Sequence, residues 1–165
     1  MEFCLRTPWN RVLRVRGDGK RIVESDFVAL SHPLYRSSDP LLCEAADQLR
    51  AYFRGAMRRF DLPLLLDGTA LQCDAWACVS ELEVGEFVSY ADIARAIARP
   101  AAHRGVAAAM SATPLDLFIP AHRVVGSDGR VRGALPGSMR ATLVAFERAA
   151  LAKKRIPEVT VLPRR

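Results

Sequence analysis

Two short helical patterns, separated by a break, constrain the fold of this chain more than any other feature. Ser89 can cap a helix over Tyr90–Ala98, in which apolar residues recur at the spacing of one buried face. Arg99-Pro100 ends that helix, because proline inside a helix removes a hydrogen bond and clashes with the preceding turn. A second helix is predicted from Pro100 or Ala101 to about Ser111. The pair indicates a helix-turn-helix whose second helix is the recognition element.

Most residues of the predicted recognition helix have very small side chains. Its small residues are Ala101, Ala102, Gly105, Ala107, Ala108, Ala109 and Ala112. One interpretation is tight packing against another helix. The other is that a slim helix enters the minor groove of DNA, which is too narrow for a bulky one.

The remaining elements follow from caps, turns and periodicity. A meander of short strands is predicted over 3–6, 11–16 and 21–30, with a hairpin at Gly17-Asp18-Gly19. Further segments are a helix opened by Asp39-Pro40 and ending near Arg54, an extended stretch over 60–66, a helix from the Thr69/Gln72 capping box to about Glu83, and a helix over Met139–Leu151. We therefore expect an α+β chain with a scaffold domain at 1–66, a DNA-binding domain at 67–165 and a basic tail at about 152–165.

A loop over residues 119–125, here termed the signature loop, reads Ile-Pro-Ala-His-Arg-Val-Val. It resembles the active-site motif of the O6-alkylguanine-DNA alkyltransferases, in which Pro-Cys-His-Arg-Val surrounds the alkyl-accepting cysteine. Flanking segments are similar to that family in the same order, from about Gly68 to Val131. These are Gly68-Thr69-Ala70-Leu71-Gln72, Trp76, Gly85 through Tyr90, Arg104 through Met110, and Pro114.

Ala121 stands at the position of the family's cysteine. A methyl side chain has no thiolate and cannot displace carbon from oxygen, so nucleophilic chemistry at this position is excluded. The resemblance therefore implies an alkyltransferase-like protein that keeps a lesion-binding site without its acceptor.

The resemblance also implies a fold and a set of roles. The first domain is expected to be ribonuclease-H-like, and the second a winged-helix-like helix-turn-helix that docks in the minor groove. Arg104 matches the arginine that enters the base stack, and Tyr90 the tyrosine that promotes rotation of the nucleotide. His122 and Glu147 match the pair that draws off the thiol proton, which becomes a vestigial relay when no thiol is present.

The candidate site residues form two groups. The lesion pocket is expected to involve Pro120, Ala121, His122, Tyr90, Met110, Ala134 and Leu135. The DNA contacts are expected from Ser89, Tyr90, Ala102, Arg104, Gly105, Ala107, Ala108 and Arg123, and for Arg123 a structural role is expected as well.

Two further departures from the family pattern bear on the pocket. Thr113 replaces an asparagine before Pro114, and the loop Ala134-Leu135-Pro136-Gly137 lacks the family's tyrosine and O6-donating serine and is one residue short. Losing these groups should widen the pocket and weaken activation of the guanine leaving group. O6-adducts larger than methyl are therefore expected to fit.

Composition supports a polyanionic partner. The formal charge is +6 and the isoelectric point is near 9.6, partly because of basic residues in the tail. Charges interrupt every apolar run, no secretory signal is visible, and the four cysteines form no C-x-x-C pair. We expect a cytoplasmic or nucleoid-associated monomer without cofactor, metal or membrane partner.

Three functions remain open from the sequence. The first is a non-catalytic sensor that binds duplex DNA containing O6-alkylguanine, flips the lesion and flags it for nucleotide excision repair proteins. The second is an active alkyltransferase in an inactivated Cys-to-Ala form. The third is a helix-turn-helix transcription regulator.

Overall fold

Alternating apolar residues near the N-terminus form a three-stranded antiparallel sheet in the computed structural model, which describes residues 1–131 and 135–153. The strands are β1 (Glu2–Arg6), β2 (Arg11–Gly17) and β3 (Ile22–Ala29), in the order β1-β2-β3. At the predicted hairpin, the Asp18 carboxylate accepts hydrogen bonds from the backbone N–H groups of Lys20 and Arg21. The predicted meander is confirmed.

Five α-helices follow the sheet in the part of the chain that the structure describes, and local signals account for where most of them begin. They are α1 (Pro40–Phe53), α2 (Ala70–Ser80), α3 (Tyr90–Ala96), α4 (His103–Ser111) and α5 (Met139–Lys153). Side chains of Asp39, Thr69 and Ser89 cap the first three, and Thr69 and Ser89 each belong to a capping box. The result is a mixed α/β fold with a small sheet.

The turn between α3 and α4 differs from the prediction. Ala98 adopts a left-handed conformation with φ of 58° and ends α3 early, while the N–H of Arg99 donates to the carbonyl of Ala94. This is a Schellman-type C-terminus, which glycine usually provides. The following residues remain in the turn, so α4 begins at His103 rather than at Pro100 or Ala101. Similarly, α2 ends at Ser80 rather than near Glu83.

Strand β3 holds two later segments of the chain. The extended stretch at 60–66 is joined to Ile22, which pairs with Leu64. Further along β3, the N–H of Ser25 donates to the carbonyl of Pro114 at 3.2 Å, and the N–H of Asp116 donates to the carbonyl of Ser25 at 3.0 Å. The sheet therefore fixes the segment that leads into the signature loop.

One hydrophobic core joins the sheet to the helices. It runs from Phe3 and Leu13 in the sheet through Trp76 of α2 to Leu143 of α5. The predicted boundary at residues 66 and 67 stays a prediction. Within the described ranges, none of the helices has the length and apolar character needed to cross a membrane.

Candidate nucleic-acid interface

The signature loop is buried and rigidly bonded. Ala121–Arg123 form one 3-10 turn, with the N–H of Ala121 donating to the carbonyl of Ile119 at 2.8 Å and the N–H of Arg123 donating to that of Pro120 at 2.9 Å. The chain then enters strand β5 (Val124–Val125), which pairs in parallel with β4 (Val88–Ser89). This pairing joins the loop to the residue that caps α3.

The Glu147 carboxylate, on α5, is the centre of a buried polar network. It accepts hydrogen bonds from His122 Nε2 at 2.7 Å, from the Tyr52 hydroxyl at 2.8 Å and from Arg123 Nη2 at 2.7 Å. Arg123 Nε donates to the second carboxylate oxygen at 3.0 Å, and Arg123 Nη1 to the carbonyl of Leu82. The predicted pairing of His122 with Glu147 is therefore direct.

The surroundings of this network favour an ionised Glu147 and a neutral His122. Burial alone would raise the pKa of Glu147, but the hydrogen bonds from His122 and Arg123 outweigh it and lower that pKa to about 2. Burial lowers the pKa of His122 below its ordinary value. At neutral pH we therefore take Glu147 as ionised and His122 as the neutral imidazole with its proton on Nε2.

The buried network corrects one predicted DNA contact. Arg123 is only 1% exposed and makes a bidentate ion pair with Glu147. Its guanidinium is therefore used inside the protein and cannot reach a phosphate. Of the two roles that the sequence suggested for Arg123, the structure supports the structural one, with a partner that lies 24 residues away on another helix.

Helix α4 uses its small residues for two purposes. Ala107 and Ala109 are buried, and a Cβ on Gly105 would lie 2.5 Å from Leu71 Cδ2 of α2. Gly105 therefore serves helix packing, whereas it was predicted as a DNA contact. Ala108 and Arg104 are exposed, and Ala102 is the partly buried residue at the start of the helix.

A cleft of about 370 Å³ opens between α3, α4 and the segment after β5. The predicted DNA contacts Ser89, Tyr90, Arg104 and Ala107 line it, facing residues 126–128, 130 and 131. Among the described residues, Arg104 has no ion pair, and the buried hydroxyl of Tyr90 has no hydrogen-bond partner. The cleft therefore offers an exposed arginine to a ligand, whereas the buried Tyr90 hydroxyl would have to become accessible before it could donate a hydrogen bond to one.

A separate cavity of about 190 Å³ lies beside Ala121 and His122. The predicted pocket residues do not all meet there. Tyr90 lines the cleft, Met110 is fully buried in the core, and Leu135 is 73% exposed. Pro120 is buried at the start of the turn, and Ala134 lies outside the described residues.

Of the described residues that line this cavity, the sequence reasoning had assigned only Ala121 and His122 to the lesion pocket; those it missed include Phe27, Asp116, Ser138 and Arg140. Asp116 had one visible signal, since it is the single charged residue in the apolar run from Leu115 to Ile119. No such signal pointed to Phe27, because it lies on β3, far from the signature loop along the chain.

Comparison with known proteins agrees with this geometry. Residues 70–153, just over half of the chain, match the family model described as "6-O-methylguanine DNA methyltransferase, DNA binding domain". This chain belongs to that family. The methylated-DNA–protein-cysteine methyltransferase of Methanosarcina barkeri is 44% identical to it over 94 residues, covering 57% of this chain and 60% of that protein.

Two further family members extend the match. The constitutive methylated-DNA–protein-cysteine methyltransferase of Bacillus subtilis is 38% identical over 117 residues, covering 70% of this chain and 71% of its own. The crystal structure of Mycobacterium tuberculosis OGT in complex with DNA has 31% identity and a TM-score of 0.73, covering 89% of this chain and 92% of that one. The chain nevertheless spans only about 60% of the length of the Methanosarcina relatives.

Proposed function

We propose that this protein is a non-catalytic sensor of O6-alkylguanine in duplex DNA. The observation that carries the proposal is the methyl group of Ala121, which lines a cavity beside a hydrogen-bonded His122–Glu147 pair. The family's loop architecture is kept, but no thiol stands where the alkyl acceptor is expected. The protein would therefore hold the lesion without removing its alkyl group.

The cleft and the cavity would divide the work of binding. A base inside a duplex must rotate out of the stack to reach a protein pocket, which costs a few kcal/mol. Arg104, exposed on α4, would fill the vacated space, and Tyr90 would act on the backbone of the rotated nucleotide. The O6 substituent would then enter the cavity beside Ala121.

The remaining expectations belong to the same proposal. Residues 1–66 would be a ribonuclease-H-like scaffold, and residues 67–165 a winged-helix-like domain that docks in the minor groove. The protein would act as a monomer in the cytoplasm or nucleoid and pass the lesion to nucleotide excision repair proteins. Adducts larger than methyl would be accepted, because the small side chain of Ala121 lines the cavity where the family's cysteine would stand.

Fluorescence anisotropy at fixed salt tests the proposal directly. Duplexes carrying guanine, O6-methylguanine or a bulkier O6-adduct would be compared, and the DNA analysed by mass spectrometry after long incubation. Selective binding with the adduct intact is expected. Equal affinity for all three duplexes, affinity that falls steadily as the adduct grows, or loss of the alkyl group, would contradict it.

A matched pair of variants tests the role of the cleft. Arg104→Ala is expected to weaken binding to the adduct duplex by about tenfold, since it removes the group proposed to fill the stack. Arg99→Ala is the control, because Arg99 already pairs with Asp74 at 2.7 Å. If both variants lost affinity for the adduct duplex to the same extent, Arg104 would be a general phosphate contact and not the group that fills the base stack.

The intact His122–Glu147 pair favours one alternative, an active alkyltransferase whose cysteine has been replaced. A gene with a cysteine codon at position 121 would decide for it. The transcription-regulator alternative predicts preference for an undamaged specific sequence. It is disfavoured because the exposed part of α4 offers few groups that can read base edges.

A further inference from the structure

The cavity beside Ala121 is lined in part by charged residues that the proposed function leaves unused. Its walls include the apolar side chains of Phe27, Leu117 and Met139, and Asp116 and Arg140 place opposite charges among them. A saturated alkyl group needs no such groups. Their presence therefore bears on which O6 substituents the cavity accepts.

Asp116 is held in position by the sheet. Its backbone N–H donates to the carbonyl of Ser25 at 3.0 Å, and its own carbonyl accepts from the Ser25 hydroxyl at 2.8 Å. Both backbone groups of Asp116 are thus satisfied by one residue of β3. The side chain projects from a fixed backbone rather than from a mobile loop.

Burial also affects the charge of this side chain. Desolvation raises the pKa of Asp116, and the charge of Asp26 adds to that rise, while the charge of Arg140 and the backbone N–H of Phe27 oppose it. Arg140 itself donates through Nη2 to the carbonyl of Met110 on α4. In either protonation state, the Asp116 carboxyl presents an acceptor oxygen in a partly desolvated place.

We propose that this cavity selects O6 substituents that end in a hydroxyl group, with the hydroxyl donating a hydrogen bond to Asp116. The proposal rests on the sensor function and names its ligand class. An alkyl chain of equal length would displace water from the carboxyl without replacing its hydrogen bond, which is unfavourable. A hydroxyalkyl chain fills the same volume and restores that bond.

Two adducts of nearly equal size provide the test. Duplexes carrying O6-(2-hydroxyethyl)guanine or O6-propylguanine differ only by a terminal hydroxyl in place of a methyl group. The protein is expected to bind the hydroxyethyl duplex about tenfold more tightly, near the upper end of what one net hydrogen bond contributes. Asp116→Leu should reduce that ratio to about one, because it removes the acceptor at similar volume.

Controls separate this effect from folding and net charge. Asp116→Asn keeps an acceptor oxygen and should retain part of the preference, even if the leucine variant is unstable. Asp47→Asn removes an exposed carboxylate on α1, 73% accessible at its side chain, and should leave the ratio unchanged. Thermal unfolding of each variant would show that the fold is intact.

Each outcome has a distinct meaning. Equal wild-type affinity for the two adducts, both above that for guanine, would overturn the hydroxyl preference and leave the sensor function standing. No difference between adduct and guanine duplexes would overturn the sensor function itself. Tighter binding of an O6-carboxymethylguanine duplex than of the hydroxyethyl duplex would also overturn the proposal, because it would identify Arg140 as the recognising group.

Discussion

At the residue scale, Glu147 determines whether the interior beneath the signature loop is electrically balanced. Glu147→Gln would leave the buried guanidinium of Arg123 without its counter-charge. Breaking a buried pair in this way costs about 3–5 kcal/mol of the free energy of unfolding. Urea denaturation of the wild type and the variant would measure the loss.

Glu81→Gln is the matched control for that prediction. Glu81 pairs with Arg59 on the surface, where its side chain is 70% exposed. Such a pair contributes about 0–1 kcal/mol. If the two substitutions destabilised the protein equally, burial of the Glu147 network would not be the source of its strength.

The same network predicts a dependence of stability on pH. The folded-state pKa values of His122 and Glu147 are both lowered, so the unfolded chain takes up protons first as the pH falls. The stabilisation is fully present above the ordinary pKa of histidine, 6.5, and declines below it, with a further decline between 4.5 and about 2 from Glu147. Denaturant titrations across that range should show it.

A substitution isolates the histidine part of this decline. His122→Gln lacks the titrating imidazole, so the fall in the free energy of unfolding between about pH 6.5 and pH 5 should flatten relative to the wild type. A variant whose pH profile paralleled that of the wild type would show that His122 titrates normally.

At the scale of the element, α4 presents one face to α2 and another to solvent. Ala108→Leu enlarges the exposed face, so it should obstruct entry into a minor groove only about 6 Å wide. Duplex binding is expected to weaken by about tenfold while the free energy of unfolding changes by less than about 0.5 kcal/mol. Ala149→Leu, on the exposed face of α5, is the binding control.

Gly105→Val tests the opposite face of the same helix. Its Cβ would overlap Leu71 of α2, and overpacking of this kind costs about 1–3 kcal/mol. Here unfolding should change and binding, measured on the folded fraction, should change little. The reverse pattern would assign Gly105 to the DNA-facing side, as the sequence alone suggested.

Local sequence signals predicted most of the helices and strands of this chain. They did not predict which side chains contact one another. Caps at Asp39, Thr69 and Ser89 and the turn at Gly17–Gly19 act within a few residues, so the sequence displays them directly. The end of α3 was misplaced because an alanine, Ala98, adopts the conformation that a glycine would have signalled.

Interactions between distant segments explain the remaining differences at the site. Arg123 resembles a DNA contact until Glu147 is brought beside it, and Asp116 enters the cavity only because Ser25 of β3 binds its backbone. That these two pairs of residues are in contact cannot be inferred from their separation along the chain.

At the scale of the whole molecule, the surplus of positive charge predicts how binding responds to salt. A formal charge of +6 favours contacts with phosphates, and each phosphate neutralised lowers the logarithmic affinity by about 0.9 per tenfold increase in salt. Affinities for guanine and O6-alkylguanine duplexes should therefore fall with similar slopes. Anisotropy titrations at several salt concentrations would measure both.

The ratio of the two affinities carries the information about the lesion. It should stay nearly constant across the salt series, because the cavity contacts the neutral O6 substituent rather than a phosphate. A ratio that fell towards one as salt rose would mean that discrimination depends on charge at the DNA backbone.

The hydrogen bond between Ser25 and Asp116 also leads to an expectation about when the binding site is completed during folding. It joins residues 91 positions apart, and closing so long a loop is entropically more demanding than forming a hairpin or a helical turn. During synthesis, the sheet leaves the ribosome well before the segment that it must hold. The cavity is therefore expected to form late, so that refolding chains regain their helical circular dichroism before they regain affinity for damaged DNA.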